Sequence, residues 1–239
     1  TGAKADHTIS AFAANPAHGT IGGNSTLSAT ASSGLAVTFG SSTPAICTVA
    51  GSTVTYLTRG TCTVTANQAG DDDYNAAPEV TLGISVAKAD QTITGLVADP
   101  AAGVVDGSSA LSATASSGLA VTFGSSTGTV CTVAGSTVTY IASGTCTVTA
   151  NQAGDDDYNA ASQVTTNITV AKADQTIGAF TANPANGIVD GNSTLSATAS
   201  SGLTVTFGSS TGAVCTVAGS TVTYLSTGTC TVTANQAGD

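Results

Sequence analysis

Polar and apolar positions alternate along short stretches of this chain. Between residues 145 and 151, Cys146, Val148 and Ala150 fall on one side and Thr145, Thr147 and Thr149 on the other. That period of two is the mark of a strand with one buried face. Comparable segments lie at residues 91–97, 110–116, 120–125 (with Val121 and Phe123 on one face), 131–133, 137–141 and 163–170. Turn-forming residues separate them, such as Ala134-Gly135-Ser136 and the loop carrying Asp155, Asp156 and Asp157. Short alternating strands with turn signals between them predict an all-β, immunoglobulin-like sandwich of about seven strands.

The same strand set occurs three times. Ala3-Lys4-Ala5-Asp6 returns at Ala87 and Ala171, CTVAGSTVTY begins at Cys47, Cys131 and Cys215, and ANQAGD begins at Ala66, Ala150 and Ala234, always 84 residues on. This period is too long for a solenoid unit and suits a small self-contained β domain. The expected organisation is therefore a tandem array: residues 1–86, 87–170 and 171–239, the last stopping before its final strand. Asp239 corresponds to Asp71 and Asp155. Residues 229–235 are thus expected to form a bare sheet edge, completed by further chain beyond Asp239 or by a neighbouring molecule's strand. No Gly/Ser-rich or Pro-rich linker separates the copies, so short, semi-stiff joints and a rod of roughly 110 Å are expected.

Composition narrows the functional classes. Only 8% of residues are charged and 4% aromatic, yet 41% are hydrophobic, which separates the chain from disordered, highly charged sequences. The net charge of −10 arises from 14 acidic and 4 basic residues. Nucleic-acid binding through clustered Lys and Arg is excluded on that count, as is electrostatic adhesion to anionic lipid. No apolar run approaches the roughly 20 residues of a membrane helix, so no membrane insertion is expected. The chain opens directly on repeat sequence and carries no signal peptide of its own, which reads as an excerpt of a secreted parent.

Six cysteines fall as Cys47/Cys62, Cys131/Cys146 and Cys215/Cys230, each pair 15 residues apart. Repeat symmetry reduces the possible pairings to one bridge inside every copy. Closing such a loop contributes about 3 kcal/mol in the chain-entropy treatment, a large share for a small domain with a thin core. Zinc would need CxxC pairs or recurrent histidines, and the only histidines are His7 and His18, both in the first copy. Disulfides imply an oxidising, extracellular setting.

The AKADQTI opening at Ala87, TASSGL at Thr30, Thr114 and Thr198, the CTVAGSTVTY centre and the ANQAGDDDYNAA close at Ala66 and Ala150 together resemble bacterial immunoglobulin-like (Big-type) repeats. Such repeats form long arrays in large secreted, adhesin-like and cell-surface proteins. The resemblance spans essentially the whole chain and implies a spacer or scaffold role rather than an activity.

Candidate chemistry is sparse. A catalytic triad would need a histidine, and none recurs, so no enzyme is expected. The acidic loops Asp71-Asp72-Asp73 and Asp155-Asp156-Asp157 are the main charge clusters, and the second is expected to lie near Asp90 at the joint between copies. Clustered carboxylate oxygens there suggest calcium, set against a plain solvated loop paired with Lys88 or Arg59. No other cofactor is implied. Lys4, Lys88 and Lys172 with Asn67, Asn151 and Asn235 could in principle cross-link, but an ordinary surface lysine is preferred. The sequons at Asn24, Asn167 and Asn192 differ in position between copies, as chance matches do. Tyr56, Tyr140 and Tyr224, with Phe39, Phe123 and Phe207, are expected in the core.

Three functional classes follow. The first is a non-enzymatic extender in a long surface protein or adhesin, with further copies of the repeat as its neighbours. The second is the building block of an extracellular filament, self-associating through nearly uncharged faces or donated strands. The third is a glycan- or protein-binding module, disfavoured by near-identical copies and the lack of an aromatic patch.

Overall fold

A computed structural model describes residues 2–239. Its described residues are strands, turns and loops with no helix, arranged as three immunoglobulin-like sandwiches in sequence, the third without a closing strand. The chain divides into two compact units, one ending at Ala171 and the other spanning Lys172–Asp239.

The first unit holds two copies. In the first, β1 (Ile9–Asn15), β3 (Asn24–Ala31), β6 (Thr53–Tyr56) and β5 (Cys47–Ala50) make one sheet in the order β1-β3-β6-β5. The facing sheet runs β2-β8-β7-β4, from β2 (Gly19–Thr20), β8 (Val80–Ala87), β7 (Gly60–Asn67) and β4 (Thr38–Ser41). The second copy repeats this layout. Its sheets are β9 (Ile93–Asp99), β11 (Ser108–Ala115), β14 (Thr137–Tyr140) and β13 (Cys131–Ala134) against β10 (Gly103–Val104), β16 (Val164–Ala171), β15 (Gly144–Asn151) and β12 (Thr122–Ser125).

Inward residues of both sheets meet in one core per copy. In the second copy Leu111, Val138, Tyr140, Val148, Ile168 and Val170 are buried around the Cys131–Cys146 bridge, with Phe123 half-buried against them. The bridges join Cys47 to Cys62, Cys131 to Cys146 and Cys215 to Cys230. The first two cross from one sheet to the other, and the Cα atoms of Cys131 and Cys146 stand 5.7 Å apart. Three disulfides with no free thiol place the protein in an oxidising environment, extracellular or at the cell surface.

Three details depart from simple alternation. Thr149 points away from the core yet is only 9% exposed, because Gly124 lies directly opposite on β12 and leaves room for its side chain. The two-residue strand β10 pairs in parallel with the end of β16, a contact too short to carry any hydrophobic period. A bulge near the start of β9, where the register shifts between Ser112 and Thr114 of its partner, is accommodated by Gly95 at φ 69°. Glycine adopts that left-handed conformation without steric cost.

The second unit contains β17 (Ile177–Asn183), β18 (Asn192–Ala199), β21 (Thr221–Tyr224) and β20 (Cys215–Ala218) in one sheet. Its other sheet is reduced to β19 (Thr206–Ser209) paired with β22 (Val232–Asn235). Leu195, Cys215 and Val222 remain buried, while Tyr224, Cys230 and Val232 are only partly covered.

Candidate functional site

The joint between the first two copies gathers most of the charged residues singled out in the sequence. β8 remains paired through Ala87, whose partner is Thr20 of the first copy. Two residues later Ala89 already belongs to the second copy. Its N–H donates to the Asp157 carbonyl at 2.9 Å, and the Asn159 N–H donates to the Ala89 carbonyl at 2.9 Å. Only Lys88 lies between the two fastened alanines, and its ammonium donates to the Asp155 carbonyl. The N-terminal end of the first copy is built alike, with Ala5 donating to the Asp73 carbonyl and Lys4 to that of Asp71.

The aspartate loops are organised from within. The Asp155 carboxylate accepts from the N–H groups of Asp157 and Tyr158, both at 2.8 Å, a local turn in which a short acidic side chain caps the following backbone. The Asp71 carboxylate caps Asp73 and Tyr74 in the same way at 2.9 Å. Asp90 accepts from Asn159 Nδ2 at 2.8 Å, and Asp6 from Asn75 Nδ2 at 2.8 Å. Asp72 is exposed.

Arg59 reaches across the joint. Its guanidinium donates to Asp156 at 3.0 Å and its backbone N–H to the Asp157 carboxylate at 3.3 Å. The pair is exposed, 53% for the arginine and 89% for the aspartate side chain, so solvent and salt screen it strongly. Asp90, Asp155, Asp156 and Asp157 therefore share one joint, and each of these four carboxylates faces a protein donor. Among the described residues no group of three or more His, Cys, Asp or Glu side chains converges as a metal-holding cluster.

Sequence reading passed over the buried polar residues that lock each copy. Gln91 donates to Gln152 Oε1 and to the Asn159 carbonyl and accepts from Ser117, tying the start of the second copy to its loop. In the third copy Gln175 likewise donates to Gln236 Oε1 and accepts from Ser201. The first copy has His7 in place of the glutamine, 5% exposed, with neither ring nitrogen hydrogen-bonded. Recurrence of Gln68, Gln152 and Gln236 inside ANQAGD is the signal that could have exposed this network.

No family model matches the chain, and no curated protein matches it. Several solved structures are similar to it. The structure of surface layer protein SbsC, domains 1–6, is 17% identical, with a TM-score of 0.28, over 98% of this chain and 37% of that one. The chain thus spans about a third of the length of that protein. The Escherichia coli adhesin FdeC is 17% identical over 92% of this chain and 88% of its own, with a TM-score of 0.28. A C-terminal 282-residue fragment of intimin, in complex with the translocated intimin receptor's intimin-binding domain, is 18% identical over 76% and 69%, with a TM-score of 0.28.

Proposed function

We propose that this chain is a non-enzymatic extender, a stretch of Big-type immunoglobulin-like repeats that spaces other parts of a long bacterial surface protein or adhesin away from its attachment point. The observation that carries the reading is the joint at Lys88. One residue separates backbone fastened to the first copy from backbone fastened to the second. A binding module gains little from such a connection, whereas an extender needs limited freedom at every joint. The copies also reproduce the same bridge and the same buried hydroxyl contacts. This is the expected outcome when each unit must stand alone under the same conditions.

Immunogold electron microscopy on the producing cells, with antibody raised against residues 1–239, tests the proposal. Label at the outer surface, standing off the envelope on isolated strands, is the expected result. Label confined to the cytoplasm would overturn it, and label along regular helical fibres would replace it with a filament subunit.

A further inference from the structure

Asn24-Ser25-Thr26 and Asn192-Ser193-Thr194 occupy the same place in the repeat, two periods apart, so the expectation that sequon positions differ between copies does not hold for this pair. Each triplet opens a strand, β3 in the first copy and β18 in the third. Alternation turns Asn24 and Thr26 outward and Ser25 inward, and Asn192, Thr194 and Ser193 follow the same pattern. The inward serine is used by the fold. Ser25 accepts from the Tyr56 hydroxyl, and Ser193 lies 2.7 Å from that of Tyr224. An amide and the hydroxyl two residues on are thus left together on one solvent-facing surface.

The asparagine stands at an open end of its strand. β1 runs beside β3 only as far as Thr26, opposite Asn15, so Asn24 is paired on one side alone, with Thr55 of β6. In the third copy β17 likewise ends opposite Thr194, and Asn192 is paired with Thr223. A turn with Gly22 at φ 77° or Asp190 at φ 62° leads into the triplet. Asn192 accepts from the Thr223 hydroxyl at 3.1 Å through Oδ1, which leaves its Nδ2 free. Among the described residues, Nδ2 of Asn24 and of Asn192 donates to no protein atom, whereas that of Asn67, Asn75 and Asn159 is engaged by Glu79, Asp6 and Asp90. The remaining sequon, Asn167-Ile168-Thr169, lies in the interior of β16 opposite Thr147, with no turn beside it.

We propose that Asn24 and Asn192 are N-glycosylation sites, each an exposed amide with a free nitrogen and an exposed threonine on the same face. The co-reactant is a glycosyl phosphate donor. The bond that forms joins Nδ2 to the anomeric carbon of the sugar. The bond that breaks is the one from that carbon to the phosphate oxygen, which departs with the electron pair and takes up the proton that Nδ2 loses. The surroundings suit a bulky substituent. Asn24 lies beside Thr55, and Thr48 lies beyond it; all three are exposed and uncharged. A hydrated glycan standing there keeps such faces of neighbouring chains from packing together. Glycosylation needs only the extracellular setting and not the spacer role, so either can fail alone.

Glycopeptide mass mapping of the protein from its producing cells, beside variants expressed in the same cells, tests the proposal. Peptides holding Asn24 and Asn192 are expected to carry sugar mass on the amide, and Asn167 is expected to stay bare. Asn24→Gln and Asn192→Gln should each remove only their own increment. Thr26→Ala should abolish the increment at Asn24, and Thr26→Ser should keep it. The second copy has Ser108 and Ala110 at the matching places, so Ser108→Asn combined with Ala110→Thr should gain a sugar at residue 108. Unmodified peptides at both sites, sugar attached only through serine or threonine oxygens, occupancy of Asn167 equal to theirs, or no gain at residue 108 would each overturn the proposal.

Discussion

The Tyr140 hydroxyl lies 2.6 Å from Ser109 Oγ, and Ser109 in turn donates to the Pro100 carbonyl at 2.7 Å. A serine hydroxyl has one proton, so with that proton on Pro100 the tyrosine is the donor of the pair. Both residues are buried, Tyr140 at 1% and Ser109 at 3%, and the contact recurs as Tyr56–Ser25 and Tyr224–Ser193. Removing either partner is therefore not equivalent. Tyr140→Phe takes away a donor and leaves Ser109 bonded to Pro100, at a cost of about 1 kcal/mol. Ser109→Ala strands a buried phenol and leaves the Pro100 carbonyl short of a partner, at a cost of about 2 kcal/mol. Urea unfolding of the two variants checks the order, and an equal loss would refute the donor assignment.

His7 occupies the place of Gln91 with neither ring nitrogen bonded, its ring 5.4 Å from that of Tyr74. His7→Gln supplies the donor and acceptor that Gln91 uses in the second copy. A gain of about 1 kcal/mol is expected from satisfying these buried groups. Calorimetry should show the transition of the first copy moving upward by several degrees, with that of the third unchanged.

The three disulfides differ in cover. Cys62 and Cys146 are fully buried, whereas Cys230 is only partly so. Thiolate attack needs access to sulfur, so mild reduction followed by alkylation and mass mapping should label Cys215 and Cys230 first. Simultaneous loss of all three bridges would contradict the difference in exposure.

At the joint, backbone pairing carries the connection and the ion pair adds little. Arg59→Ala is expected to change the melting temperature by less than about a degree, as for most exposed ion pairs. The amides of Ala89 and Asn159, bonded across the loop at 2.9 Å, should keep their hydrogen-exchange protection. If both amides lost protection in the variant, the arginine rather than the backbone would be holding the joint.

Much of this architecture was readable from residues alone, for definite reasons. Alternation at residues 145–151 is plain because β15 buries Cys146, Val148 and Ala150 completely. The all-β sandwich followed from that alternation and from the period of the repeats. Other features left no trace in an apolar pattern. β10 spans only Gly103 and Val104, and its position depends on a close approach: a Cβ on Gly103 would come within 2.7 Å of the Tyr140 ring. Ser109 and Gln91 read as ordinary polar residues, although each is buried with partners far away in sequence. The aspartates were located at the joint by topology, but the backbone amides and Arg59 that engage them come from loop geometry.

The parallel pairing of β10 with β16 also decides how the second copy would answer a pull along the chain. Tension applied at the start of β9 and the end of β16 drives β10 and β16 past each other, so Gly103–Val170 and Val104–Ala171 are loaded together in shear instead of opening one at a time. Once they slip, the Cys131–Cys146 bridge keeps the 15-residue stretch it closes from lengthening, withholding about 50 Å of fully extended chain. Single-molecule stretching before and after reduction would read that difference directly, as a tether whose give is capped by a covalent stop.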